Sequence, residues 1–565
     1  MITLSEISNW FATNFGEITL AQAQNWFVYN PKEPILFNTA LFLGMFLIFY
    51  PIYILTTKAA THTFRNLYVF AFSLFFYYKS SGIYFCLLLL SGVIDYNLAK
   101  VLYNEVSAWH RKFYLILSVV LNLGFLGYFK YSNFLIENYN GLFDGNLSFE
   151  KIILPVGISF YTFQSMSYII DIYRKELKPT KNILDYMFFV SFFPQLVAGP
   201  IVRASEFIPQ IYAKLHLTRN DVNNALFLII GGLIKKTFVS DYISLNFVDR
   251  VFDAPKSYTA FENLMATYGY TIQIYCDFSG YSDMAIGIAL LMGFKLSINF
   301  RTPYKSASIT EFWRRWHISL STWLRDYLYI SIGGNRHGSI AGFLFPILFF
   351  GGFITYGIVT YHKNIFPLIV SISATVIFLL TVLFSKEKTK TLHTNVNLMT
   401  TMLLGGFWHG ASLRFIIWGA LHGIALAVNK IFTEFFPIKT ENKYPIWRGI
   451  TTFFSILITF HFVAFCWIFF RARDFNTAFD IITNISQLQF NLQEWQTIIL
   501  GYQNVFLVML IGYIWHFLPV KITGFMKLVF DKMPILIKAF VLALTFWIVY
   551  ATATSGPQPF IYFQF

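Results

Sequence analysis

The sequence predicts an all-α polytopic membrane protein, and two observations carry that prediction. Of the 565 residues, 56% are hydrophobic, 20% are aromatic and only 12% are charged. The mean hydropathy of +0.56 lies far from that of a soluble domain. Apolar runs suited to bilayer-crossing helices, which need roughly 20 residues, recur at 35–55, 113–135, 225–243, 340–361, 365–384, 413–432, 450–470, 505–518 and 535–554.

Residues 1–34 carry no basic leader and no long apolar core, so they read as an amphipathic extension on the membrane surface rather than a cleaved signal. Residues 35–565 read as a single integral membrane domain, since no repeat, low-complexity tract or linker divides them. The formal charge of +14 would suggest nucleic acid in a soluble chain. Here the basic residues cluster beside apolar spans, at 58–65, 111–112, 235–236 and 386–390, the pattern of cytoplasmic loops. No basic stripe interleaves with stacking aromatics, so nucleic acid is excluded as a partner. Cys86, Cys276 and Cys466 stand apart without CxxC spacing, which suggests neither a disulfide framework nor a metal site.

The centre of the chain differs from its ends. Between about 150 and 340 the apolar runs shorten and are broken by Pro155, Gly157, Pro194, Gly199, Pro200, Gly280 and Pro303. Such pieces read as re-entrant or interfacial segments. Irregular backbone at membrane depth is tolerated only where protein or a water-filled cavity satisfies it. The centre is therefore expected to line a cavity.

Ionisable groups in that setting mark sites or pathways. Residues 309–338, "ITEFWRRWHISLSTWLRDYLYISIGGNRHG", have helical periodicity: Trp313, His317, Leu320 and Leu324 share one face, and Arg314, Ile318, Ser321 and Arg325 the next. A Trp- and Arg-rich amphipathic helix also suits an interface, which leaves His317 two readings. The sharper one pairs it with His409, set in "MLLGGFWHGAS". Both lie in tryptophan-flanked segments, and a neutral imidazole in apolar surroundings can take a proton from a hydroxyl. His409 reads as the better base, because Gly405, Gly406 and Gly410 remove bulk that would block a substrate from the ring. His461 and His516 read as packing residues. No HExxH, GxSxG, Walker or GxGxxG motif is present, so metalloprotease, serine hydrolase, ATPase and dinucleotide chemistries lack their minimal parts.

Five segments then carry a resemblance: "LPVGISFYTFQSMSYIIDIYR" (154–174), "FFPQLVAGPIVRASEFIPQ" (192–210), "YCDFSGYSDMAIGIALLMGFKLSINFRTPY" (275–304), "FWRRWHISLSTWLRDYLYISIGGNR" (312–336) and "LLGGFWHGAS" (403–412). Together with "HFVAFCWIFFRA" (461–472) and the terminal "PFIYFQF", they resemble the membrane-bound O-acyltransferase (MBOAT) family, most closely its alginate O-acetyltransferase branch. The resemblance implies a bundle of transmembrane and re-entrant helices around a central tunnel. It also implies His409 as the catalytic histidine and His317 as the second essential one. An acyl group, acetyl or slightly larger, would move from a cytoplasmic thioester such as acetyl-CoA, with no tightly bound cofactor or metal. A periplasmic SGNH-type acetyltransferase would receive it and modify an exported polysaccharide, alginate, peptidoglycan or similar. The expected location is the bacterial cytoplasmic (inner) membrane.

Other residues keep two readings. Arg314, Arg315, Arg325 and Arg336 suit the phosphates of a coenzyme A donor or ordinary positive-inside anchoring. Asp277, Ser279, Ser282 and Asp283 resemble the family's polar centre, or cap and cross-link helices. Gln164, Gln195 and Trp408 are placed with the tunnel. Two features depart from the branch: the extension at 1–34, and an inserted transmembrane hairpin at 340–384 turning at His362–Asn364. The rival functions are D-alanyl transfer to teichoic acid, and a non-catalytic scaffold or transporter serving a polysaccharide-modifying complex.

Overall fold

The computed structural model describes residues 26–31, 34–59, 62–143, 145–147, 152–359, 387–435 and 445–552, with scattered positions between 369 and 383. The described residues form helices and no strands. The first 25 residues, most of the second arm of the expected hairpin with its turn, and the terminal "PFIYFQF" lie outside them. The first arm is helical over Ile340–Val359.

The chain divides into two compact units. The first comprises residues up to Asn122, Leu154–Val197 and Ala204–Leu215. It contains α1 (Ala40–Ala59), α2 (His62–Ser81), α3 (Phe85–Asn104), most of the first half of α4 (Ala108–Phe143), α5 (Ile158–Tyr173), α6 (Ile183–Ser191), α7 (Phe193–Leu196) and α8 (Ala204–Tyr212). Its core is aromatic: the Phe193 ring lies edge-on to those of Phe49 and Phe72 (5.9 and 5.1 Å). Buried polar groups are satisfied in pairs, with Asn66 donating to Asp185 (2.8 Å) and Ser118 and Asn122 donating to Asp95 (2.7 and 2.8 Å).

The second unit contains residues 123–153, 198–203 and everything from His216. It is built from α9 (Arg219–Leu233), two π-helical stretches at Ile234–Asp241 and Ser244–Val248, α10 (Asp249–Asp253), α11 (Ala260–Leu291), α12 (Ile309–Trp313), α13 (Ile318–Trp323), a π-helical stretch at Leu324–Tyr329, α14 (Ile340–Val359), α15 (Lys388–His409), α16 (Leu413–Phe435), α17 (Pro445–Arg471), α18 (Phe475–Ser486), α19 (Leu492–Gly501), α20 (Gln503–Phe517), α21 (Val520–Lys532) and α22 (Ile535–Thr552). Thr218 with Asp221 and Thr259 with Glu262 form the reciprocal caps that start α9 and α11.

Among the described residues, six helical stretches are long and apolar enough to cross a bilayer: Ala40–Lys58, His62–Asn104, Ala108–Gly141, Arg219–Asp253, Leu413–Phe435 and Gly449–Arg471. Counting the bent pairs α19/α20 and α21/α22 as one span each gives eight. His62–Asn104 is a correction to the sequence reading, which has no span there. Arg65, Asn66, Lys79 and Asp95 break its apolar run, yet all are buried inside the fold. Lys235 and Lys236 are corrected likewise. They lie inside the span Arg219–Asp253, paired with Asp283 and with Asp241 and Asp277, rather than in a loop beside it. The centre does hold short pieces, but also α11, 32 residues long and almost wholly buried.

Candidate active site

His409 is the last residue of α15 and is 4% exposed. Two of the glycines around it are also needed for packing. A Cβ on Gly406 would stand 2.2 Å from the Phe415 carbonyl oxygen, and one on Gly419 2.3 Å from that of Met402. A Cβ on Gly410 would meet the Phe415 ring at 2.1 Å. Gly406 and Gly419 therefore let α15 and α16 cross at backbone contact, and Gly410 leaves room for the Phe415 ring, which together fix where His409 ends up. The α15 carbonyls left over at that end are taken by α4: Lys130 donates to those of Trp408 and His409 (3.3 Å to the latter), and Tyr131 to that of Phe407 (2.9 Å). Trp408, Trp418 and Phe470 stand edge-on around the imidazole, with centroids 5.1, 5.1 and 5.4 Å away.

His317 requires a correction. The periodicity of 309–338 predicts one continuous helix with His317 on its face, but the helix breaks at 314–317. His317 instead occupies a left-handed turn, φ +42° and ψ +54°, immediately before α13. That conformation is uncommon outside glycine, though histidine is among the residues that adopt it. Cross-links to the loop after α11 hold it there: Ile318 N–H donates to the Asn299 carbonyl (2.9 Å) and Arg301 N–H to that of Arg315 (2.9 Å). No helical pattern reports such a tertiary clamp.

The turn carries the His317 ring, wholly buried, to a centroid distance of 6.4 Å from the His409 ring. That separation is of the size that one reacting atom between two hydrogen-bonding groups needs. Neither histidine lies in one of the six long apolar stretches. Burial lowers the pKa of both, and for His409 the neighbouring His317 and Lys130 push the same way, which favours the neutral form of each ring.

Other predicted site residues are distributed. Trp408 belongs to the site, its ring 6.3 Å from that of His317. Arg314 and Arg336 are exposed. Arg315 is held by Glu311 (2.6 Å) and Arg325 by Asp326 (2.6 Å), which also binds Arg203 (2.6 Å). Asp277 is an ion-pair residue, 2.5 Å from Lys236, rather than a cap. Ser279 is buried in α11, and Ser282 accepts from Asn299 (3.1 Å). Gln164 and Gln195 belong to the first unit, both fully buried. Gln195 donates to the Phe189 carbonyl (2.6 Å), while neither amide atom of Gln164 is bonded.

Three residues at the site escape the sequence reading: Lys130, Asn299 and His422. His422 is fully buried and accepts from Trp313 Nε1 (3.3 Å). A lysine alone in the apolar run 113–135 was a readable signal; nothing local marks the other two.

The MBOAT family model matches residues 173–351, which include His317. A peptidoglycan O-acetyltransferase of Helicobacter pylori is 35% identical over 476 residues, 79% of this chain and 79% of that protein. The chain belongs to the membrane-bound O-acyltransferase family. Other members extend the comparison. The probable alginate O-acetylase AlgI of Pseudomonas aeruginosa is 36% identical over 472 residues, 81% of this chain and 76% of its own. The teichoic acid D-alanyltransferase of Bacillus subtilis is more distant, 27% identical over 335 residues, 58% of this chain and 71% of its own. This MBOAT protein is thus a multi-pass membrane acyltransferase by family.

Proposed function

We propose that this protein moves an acetyl or similarly small acyl group from a cytoplasmic thioester, acetyl-CoA in the simplest case, across the inner membrane of a bacterium for O-acetylation of an exported polysaccharide. The observation that carries the reading is the 6.4 Å approach of the buried, neutral His317 and His409 rings. Peptidoglycan and alginate O-acetylation by relatives sharing about four-fifths of this chain support the polysaccharide as the final acceptor. A periplasmic SGNH-type acetyltransferase is the immediate partner in this reading.

His409 takes the proton of the acceptor hydroxyl as its oxygen attacks the thioester carbonyl. The C–O bond forms, the tetrahedral oxyanion collapses, the C–S bond breaks, and the proton passes from the imidazolium to the thiolate. Thioester and alcohol become ester and thiol, with no net proton change. His317 orients the donor or relays the proton. The exposed Arg314 and Arg336 are available for phosphates on the donor.

Transfer from labelled acetyl-CoA by purified protein in detergent tests this. His409→Ala is expected to lose roughly 10²- to 10⁴-fold in rate at an unchanged melting temperature, with His317→Ala also impaired. Equal transfer in all three proteins would remove the histidine pair from catalysis and leave a scaffold.

A further inference from the structure

The side-chain amide of Asn299 has only one possible orientation. The main-chain N–H of Ser319 points at its Oδ1 (3.2 Å) and can only donate, so the atom it meets is the carbonyl oxygen. The Ser319 hydroxyl donates to the same oxygen (2.9 Å) while accepting from the Ile201 N–H (3.0 Å). On the other side, Asn299 Nδ2 donates to Ser282 Oγ (3.1 Å). His317 Nδ1 lies 3.1 Å from this Oδ1. A carbonyl oxygen cannot donate, so this contact is a hydrogen bond only when Nδ1 carries the proton. In the neutral ring the lone pair is then on Nε2, which is buried and makes no hydrogen bond within the protein.

We propose that Asn299 is a positioning residue for acyl transfer: it locks His317 as the Nδ1–H tautomer and thereby assigns all proton traffic at this ring to Nε2. The proposal rests on the reading that His409 and His317 carry the transfer. It decides between roles for His317. A ring with its only proton committed to Asn299 cannot donate to the thioester carbonyl in the resting state. It accepts instead. A proton arriving on Nε2 makes an imidazolium whose Nδ1–H stays on Asn299, and the same proton leaves from Nε2 to the departing thiolate, so the overall balance is unchanged. The clamp on the backbone, Ile318 N–H to the Asn299 carbonyl, holds the left-handed turn that aims the ring. One residue therefore sets both the direction and the tautomer of the imidazole.

The test is ¹⁵N NMR of ring-labelled histidine in the full-length protein in detergent, with the His317 signals identified by their loss in His317→Gln. The expected wild-type spectrum at neutral pH has Nδ1 protonated and Nε2 bare. Asn299→Ala should give a tautomer mixture and a fall in kcat of roughly 10²-fold, with the KM for acetyl-CoA within about twofold. Asn299→Asp keeps an acceptor at the same place. It should restore the Nδ1–H form and shift the pH–rate profile to higher pH, because a carboxylate favours the imidazolium. A wild-type His317 protonated on Nε2, or an Asn299→Ala protein with unchanged tautomer and kcat, overturns the proposal. Should Asn299→Ala fail to fold, the wild-type spectrum and the Asn299→Asp profile still decide. The spectrum is read without turnover: if it shows Nδ1–H while His409→Ala and His317→Ala transfer normally, the catalytic reading fails and the positioning role falls with it, but the tautomer stands.

Discussion

The ammonium of Lys130, on α4, closes the end of α15 by donating to the main-chain carbonyls of Trp408 and His409, and it lies 5.6 Å from the centre of the Trp408 ring. A cation at a helix C-terminus meets both the unpaired carbonyls and the negative end of the helix dipole. It thus ties the backbone of the proposed base to a separate helix.

Lys130→Met is expected to lower stability by about 1.5–3 kcal/mol, the range for a charged hydrogen bond, and to reduce transfer by displacing His409. Thermal unfolding in detergent and the acetyl-transfer assay check both. Lys130→Arg, which keeps the charge, should recover part of each. An unchanged melting temperature in Lys130→Met would show that the contact does not anchor the helix.

The crossing of α15 and α16 predicts a sharp contrast between glycines. Gly419→Ala puts a methyl group 2.3 Å from the Met402 carbonyl oxygen, and such overpacking costs about 1–3 kcal/mol. Gly449→Ala, in α17, meets nothing within 4 Å and should be neutral or stabilise by up to about 1 kcal/mol. Melting temperatures of the two variants should move in different directions, with activity falling only in the first.

Asp326 predicts a pH dependence. Burial alone would raise its pKa, but hydrogen bonds from Arg325 and Arg203 outweigh that and hold the carboxyl below the usual carboxylate range. Because the folded value is depressed, the stabilisation is present above the unfolded pKa of about 3.9 and is lost as pH falls through the folded one. Acid unfolding followed below about pH 4 should be steeper in wild type than in Asp326→Asn, and the two should differ most near neutrality. Coincident curves would mean that the Arg203–Asp326–Arg325 cluster is not formed in solution.

What the sequence discloses follows from how local each signal is. Apolar runs such as 413–432 and 450–470 announce their helices, since bilayer crossing is a property of one segment. His62–Asn104 is less plain because Arg65 and Asp95 interrupt its apolar run, and only the fold shows them buried and hydrogen-bonded to the distant Ile211 carbonyl and Ser118 hydroxyl. His409 and His317 stand out by composition, yet their conformations do not. The break at 314–317 depends on the loop at Asn299, and the use of Gly406 depends on Phe415 of the next helix. The residues that position a site are legible only once tertiary contacts are.

Lys236 provides the most demanding test of the buried charges. It is 1% exposed and bridges Asp241 (2.8 Å) and Asp277 (2.5 Å). Lys236 and Asp241 are five residues apart, a spacing that the π-helical turn at Ile234–Asp241 brings onto one face, and Asp277 comes from α11 packed against it. Removing one partner of a buried ion pair strands the remaining charge and costs about 3–5 kcal/mol. Lys236→Met leaves two carboxylates facing each other in an apolar span. It should therefore cut the amount of folded protein recovered from membranes and lower the melting temperature more than any other variant considered. The triple variant Lys236→Met, Asp241→Asn, Asp277→Asn removes the stranded charge along with the pair, and it should recover most of that loss. If the triple variant is no better than Lys236→Met, the lysine acts through packing of its stem rather than through charge, and the cluster is not an electrostatic unit.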